Sequence, residues 1–437
     1  MTISDFYRVQ KSYNCKQSKR ILLLFALLVP FFFSAAQPAD ALKEWKIDSI
    51  QIHKNWRTRD KIIERELQFS TGETIDQDCL DRSISQIWNI GNFANVDYSI
   101  DSISPDGHLL KLTAKDAFNL VPYVTISGNK DDKNLSMGFS DPNFLGRNIK
   151  LDLNGRIGTY NTEYRAGVTI PRQLLYKNMT LSFHVSSGTG NNYRYSGDQQ
   201  IQAVAYHSKQ FSGSIGNPWH TDYEYTFSPN FSWNFFQHKT DTALLSTTVP
   251  FVDDYTINYL ALSVGESVGL INRHRHQKDG YLVSGGYGIG IGLDKNSPFY
   301  HSFGFGTSYY KTLNQVVELS ASYATGYSTA TTPSLLHYMS SGDVKGIING
   351  QESGQGHYNA KINGSFTYIY FNWFALEHSV YTQMGMADDH YIDIYKRKPR
   401  ISLGTEIRIW TPMIPWLAAS VHFTYLKGND NWFHLDI

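Results

Sequence analysis

Ile149-Lys150-Leu151-Asp152-Leu153-Asn154-Gly155-Arg156-Ile157-Gly158 is the stretch whose reading decides the fold. Ile149, Leu151, Leu153 and Ile157 interleave with Lys150, Asp152, Asn154 and Arg156. A period of two places the apolar set on one face of an extended strand and the polar set on the other. Downstream, Tyr164, Ala166, Val168 and Ile170 interleave with Arg165, Gly167 and Thr169, and Leu181, Phe183 and Val185 with Ser182, His184 and Ser186. A wall between lipid and a wet lumen requires this pattern. A soluble β-sandwich shows the same period, so the decision falls to context. A secretory leader, one unbroken series of long strands, and Trp or Tyr near many strand ends favour a membrane barrel.

Residues 119–437 are long enough for sixteen strands at about 20 residues each with their turns. The chain parses into Leu120–Ser127, Asn134–Ser140, Ile149–Gly158, Glu163–Ile170, Met179–Ser186, Gln199–Ser208, Thr221–Phe235 and Thr256–Val268. It continues with Gly280–Gly292, Phe299–Tyr309, Gln315–Tyr327, Tyr358–Trp373, Ala375–Ala387, Arg400–Thr411, Trp416–Lys427 and Trp432–Ile437. The expected fold is mainly β: a 16-stranded transmembrane antiparallel β-barrel behind a small β-α-α-β-β module.

The 39 basic and 39 acidic side chains cancel, which argues against nucleic acid as a partner, because neutralising phosphates needs a basic surplus. Aromatic residues make up 14% of the chain and glycines number 34, a composition suited to a sheet whose faces meet different solvents.

Lys16, Lys19 and Arg20 precede an apolar run from Ile21 to Phe33, with small residues at Ser34-Ala35-Ala36 and Ala39-Asp40-Ala41. This reads as a signal peptide over residues 1–41, cleaved after Ala36 or Ala41, because the run falls short of the roughly 20 residues a spanning helix needs. Cys15 leaves with it. Cys79 is then the only mature cysteine, expected as a small buried hydrophobe.

Residues 42–118 read as the module. Ile50 and Ile52 alternate in a first strand, Lys46 to His53, with Ile47 out of phase, so its start is uncertain or bulged. Thr58 is placed to cap a helix from Arg59 to Gln68, and Asp76 to cap a second. In the second, Cys79, Leu80, Ile84, Ile87 and Trp88 form a core-facing stripe that ends at Gly91. Strands Ala94–Ser102 and Leu109–Ala114 follow, joined by a Ser104-Pro105-Asp106-Gly107 turn.

This module resembles a POTRA domain through "DKIIERELQFSTGETID" and "IWNIGNFANVDYSI". Gly91, Phe93 and Val96 match the family's spaced glycine, phenylalanine and valine. The resemblance implies periplasmic placement and client capture along the edge strand Ala94–Ser102. The mature chain as a whole resembles the outer-membrane assembly and two-partner secretion superfamily of BamA-, TamA- and FhaC-like barrels. Three places carry the match. Asn143, Phe144, Leu145 and Gly146 in "GFSDPNFLGRNIKLDLNG" stand at the family's early barrel turn. "PSLLHYMSSGDVKGI" resembles its lumen-loop motif, with Val344, Lys345, Gly346 and Ile347 where the family has Val-Arg-Gly-Phe. "GTEIRIWTPM", a strand and "WFHLDI" resemble the closing strands.

The departures are specific. Lys345 replaces the family arginine. Tyr381-Thr382-Gln383-Met384-Gly385 stands where the receiving strand carries F-x-D-x-G, so Lys345 would face Gln383, with Glu377 as the substitute anion of the same strand parity. Phe433, Leu435 and Ile437 keep the alternation of a short last strand, without a terminal aromatic.

The resemblance implies insertion or secretion of polypeptides without nucleotide hydrolysis, cofactor or metal. The partners it implies are outer-membrane lipid and lipopolysaccharide, and an unfolded client at the module edge and the barrel seam. A plugged pore or structural barrel is the alternative, and for Val344–Ile347 an ordinary outer turn. No G-x-S-x-G, H-E-x-x-H, paired-Cys or phosphate-loop motif occurs, so no enzyme is expected. Arg273-His274-Arg275-His276 and Asp388-Asp389-His390 read as solvated turns rather than metal sites.

Overall fold

The computed structural model describes the chain except residues 1–43, 54, 106, 119, 129–132, 172–178, 197–198, 218, 222–224, 245–249, 275–276, 314–315, 348–349, 372, 392, 412–413, 427–431 and 437. The leader, Cys15, the Arg275-His276 pair and Ile437 lie outside the described residues.

The module runs β1 (Glu44–His53), α1 (Asp60–Glu64), β2 (Thr74–Asp76), α2 (Gln77–Asn89), β3 (Phe93–Ser102) and β4 (His108–Asp116). Its mixed sheet has the order β2-β1-β4-β3, so β3 is an edge. Leu80, Ile84, Ile87 and Trp88 of α2 close on Ile47, Val96, Leu110 and Leu112 in one buried core. The Asp76 carboxylate accepts from the Cys79 amide at 2.8 Å, the expected cap of α2. Cys79 packs half-buried against the core, and burial pushes its thiol upward, with Asp76 adding to the shift.

Three expectations for the module change. A short strand, β2, precedes α2; three residues are too few to show a period. The first helix is a single turn and a half rather than Arg59–Gln68. Thr58 does not cap it: Arg59 is the N-cap, without a side-chain bond, and the Thr58 hydroxyl is drawn to Asp116 instead. The out-of-phase Ile47 marks a register shift between Ile47 and Ser49 that leaves Ile47 fully buried.

The barrel strands are β5 (Val121–Gly128), β6 (Lys133–Phe144), β7 (Ile149–Gly158), β8 (Asn161–Ile170), β9 (Thr180–Ser196), β10 (Gln199–Gly216), β11 (Trp219–Thr221), β12 (Tyr225–Phe227), β13 (Asn230–Thr240) and β14 (Thr256–His274). Then come β15 (Gln277–Gly292), β16 (Tyr300–Leu313), β17 (Val317–Ser328), β20 (Gly356–Phe371), β21 (Phe374–Asp388), β22 (Arg400–Thr411), β23 (Ile414–Leu426) and β24 (Trp432–Asp436). The β10–β13 ladder continues into the β11–β12 ladder, so these four segments are two strands of the wall and the sheet has 16 in all. All neighbours are antiparallel, and β24 stands beside β5. Two short strands, β18 (His337–Tyr338) and β19 (Ser353–Gly354), pair within the β17–β20 connection.

Side-chain exposure follows the period of two. Met137, Phe139, Leu153, Ile157, Val380, Met384, Leu403 and Ile407 are exposed, while Gln383, Ser402 and His422 are buried inward. Bare hydrophobes outside and polar groups inside are what a membrane barrel needs. The strands overrun several of the expected ends: β9 and β10 reach Ser196 and Gly216, where polar Ser, Thr, Asn and Gln end the hydrophobic alternation but not the hydrogen-bond ladder. Among the described residues no helix is long and apolar enough to cross a membrane.

Candidate functional site

The β17–β20 connection folds against the wall through three buried side chains. Met339, Val344 and Ile347 cluster with Ala387 of β21 and Leu426 of β23. A Cβ on Gly385 would lie 2.5 Å from Met339 Cε and 2.8 Å from Val344 Cγ2, so only a glycine there lets the loop seat this closely. Gly346 turns the loop at a φ of 94°.

Gln383 receives the loop through the backbone of Lys345. The Lys345 backbone N–H donates to Gln383 Oε1 at 2.7 Å. A neutral amide can accept from a backbone N–H, so this contact needs no carboxylate. Glu377 takes no part in it. It stands six residues along β21, roughly 20 Å away at strand rise, opposite Thr367 and Arg408. Tyr381 lies between them and donates or accepts at Thr424 Oγ1 at 2.6 Å.

Asp343 is the polar anchor. Its carboxylate accepts from the Ser340 amide at 2.9 Å and from Asn359 Nδ2 of β20 at 3.3 Å. The His337 imidazole is 3.6 Å away and stacks on His357 at 3.7 Å between centroids. Burial opposes ionisation of Asp343, but the His337 imidazole and the Ser340 amide outweigh it and hold the carboxyl below its usual range. Glu352, paired with Arg400 of β22 at 2.8 Å, goes the other way: burial exceeds the effect of Arg400 and raises it. Neither anchor is legible from spacing, since Asn359 lies 16 residues from Asp343 and Arg400 lies 48 from Glu352.

The early barrel turn, Asn143 to Gly146, is where the module meets the barrel. Asp116 accepts from the Arg57 amide at 2.7 Å, the Thr58 amide at 3.0 Å and the Thr58 hydroxyl. Asn143 Nδ2 donates to the same hydroxyl at 2.7 Å, and Arg57 pairs with Asp141 at 2.5 Å. The Arg59 amide donates to the Gly146 carbonyl at 3.1 Å, and a Cβ on Gly146 would strike the Arg57 carbonyl at 2.0 Å. Asn92, next to the module's Gly91 and Phe93, donates to Asn148 at 2.9 Å. On the other side Asn89 accepts from the Arg273 amide of β14 at 2.9 Å. Gly91 ends α2 at a φ of 77°, and Phe93 and Val96 are buried in the module core.

Beneath the loop a cavity of about 1390 Å³ is lined by Lys345, Lys361, Arg408, Asp152 and His422 on the lumen side and by Asn89 to Asn92 of the module. Val124 of β5 and Ile409 of β22, both on outward-facing rows, also line it. The described β23–β24 ladder covers Ser420 to Thr424, so the outward-lined part of the cavity lies beside the neighbourhood of the seam. Among the described residues no group of three or more His, Cys, Asp or Glu could hold a metal ion. Asp388 and Asp389 instead pair with Arg397 and Arg194 at 2.7 and 2.8 Å.

The fold is similar to that of solved outer-membrane barrels. BamA from Haemophilus ducreyi lacking POTRA domains 1–3 is 14% identical, with a TM-score of 0.51 over 90% of this chain and 84% of that one. CdiB from Escherichia coli is 10% identical, with a TM-score of 0.62 over 90% of this chain and 76% of that one. CdiB from Acinetobacter baumannii is 12% identical, with a TM-score of 0.56 over 90% and 74%. No curated protein sequence matches. The Omp85 superfamily domain matches residues 143–424, from the early turn through the seam-side strand β23. The chain therefore belongs to the Omp85 superfamily, outer-membrane barrels with periplasmic domains that serve protein insertion or secretion.

Proposed function

We propose that this protein moves polypeptide clients into or across the outer membrane without nucleotide, cofactor or catalytic residues. In this reading residues 1–41 are a leader, 42–118 a POTRA domain and 119–437 the barrel. The edge strand β3 takes an extended client by strand addition, because its outer row of backbone groups has no partner in the module sheet. The client then reaches the seam between β5 and β24. The observation that carries this is the cavity whose lining joins the module, the lumen floor and outward residues of strands near the seam. Unpaired backbone in lipid costs several kcal/mol per group, so a client strand that pairs at a short seam gains what the free seam lacks. Val344 to Ile347 hold the loop in the lumen, with Gln383, Tyr381 and Gly385 as the receiving surface.

A plugged pore without transport is the second reading, favoured by the burial of Val344 and Ile347 in the loop–wall cluster. Quantitative proteomics of the outer membrane and medium after depletion separates the two. The transport reading expects loss of other barrels or of particular exported proteins. An unchanged set of exported proteins contradicts it and leaves the plug.

A further inference from the structure

The outward row of β6 runs Leu135, Met137, Phe139 and then Asp141. Met137 and Phe139 are exposed, as a lipid-facing row should be, whereas Asp141 is 2% exposed because Arg57 of the module covers it. The ion pair therefore sits on the outer wall, at the periplasmic edge of the apolar band. Beside it lies an open groove of about 430 Å³ lined by Leu120, Phe139, Phe144 and Leu145. Leu145 holds a φ of 57° with its side chain 60% exposed. A left-handed conformation is unfavourable for a bulky residue, and glycine or asparagine would relax it. The fold thus accepts strain to present a leucine where water would be a poor neighbour.

We infer that an acyl chain of a periplasmic-leaflet phospholipid occupies this groove and forms part of the joint between module and barrel. The groove continues the lipid-facing rows of β5 and β6, where Val124, Ile126, Met137 and Phe139 are exposed. Its polar end, the Arg57–Asp141 pair, lies where a chain enters the headgroup region. Because Gly146 touches the Arg57 carbonyl, a lipid seated on Leu145 abuts the contact that orients the module.

The test places a bimane fluorophore on Leu145→Cys in a Cys79→Ser protein without residues 1–41, reconstituted in phosphatidylcholine–phosphatidylglycerol vesicles. Strong quenching by lipid carrying a nitroxide on the upper acyl chain, with little quenching by aqueous iodide, is expected. Quenching by iodide and none by the labelled lipid overturns the proposal. Protection that appears only when an unfolded barrel polypeptide is added overturns it in favour of a client site. If Leu145→Cys fails to fold, Phe144→Cys carries the same readout. Leu145→Gly, with the strain removed, should keep the fold and lose phospholipid co-purifying with the protein in native mass spectrometry. Unchanged lipid retention in that variant counts against the groove.

Discussion

Gly385 and Asp343 hold the loop by opposite means, one by having no side chain and one by its charge. Gly385→Val forces a branched side chain into space already taken by Met339 and Val344, and overpacking of this kind costs about 1–3 kcal/mol. We expect the loop to leave the wall, seen as faster protease cleavage between Ser334 and Glu352 and larger single-channel conductance. Gly364→Ala, whose Cβ meets only Leu319 Cδ2 at 3.5 Å, should change neither. Asp343 predicts a pH dependence. Its carboxyl lies below the ordinary range when folded, so its contribution is present above the unfolded value, about 4, and is lost as pH falls through the folded one. Loop release should therefore set in below about pH 4. Asp343→Asn should release the loop at neutral pH and flatten that acid dependence; a profile identical to wild type would remove Asp343 from the anchor.

At the scale of elements, the joint rests on one carboxylate that serves three donors. Asp116→Ala leaves the Arg57 and Thr58 amides and the Thr58 hydroxyl without their acceptor, which we expect to cost about 3 kcal/mol. The module should then melt separately from the barrel, seen as a new low-temperature transition and as cleavage near Phe118. A photo-crosslinker at Ser99, exposed on β3, should capture a translocating chain if that edge receives clients; capture only at positions on β4 would move the site. The strands and the helix stripe were legible because periodicity is local, whereas the loop was placed by the resemblance of its motif. Thr58 was misread because Thr before a helix is a common cap, and nothing local reveals that Asp116, 58 residues on, competes for the hydroxyl. Glu377 was misread for the complementary reason: parity names the face of a strand but not the height along it. Lys345 was assigned by side-chain chemistry, and the contact its backbone amide makes with Gln383 is one that no sequence distinguishes.

For the whole molecule, the proposal is that a client passes from the module edge by way of the cavity to the seam, with the loop bracing the wall from inside. The braces reach β20, β21, β22 and β23, the strands on the β24 side of the seam. The module contacts lie on the end of β6, the turn after it and β14. The two sides of the seam are thus held by different parts of the molecule, the arrangement a wall needs if it is to part at one place and stay closed elsewhere. The most direct test is a disulfide across β5 and β24 in the Cys79→Ser protein, assayed for barrel insertion and export with and without reductant. The account predicts that the oxidised, locked form loses activity and that reduction restores it. Full activity with the seam locked would contradict it.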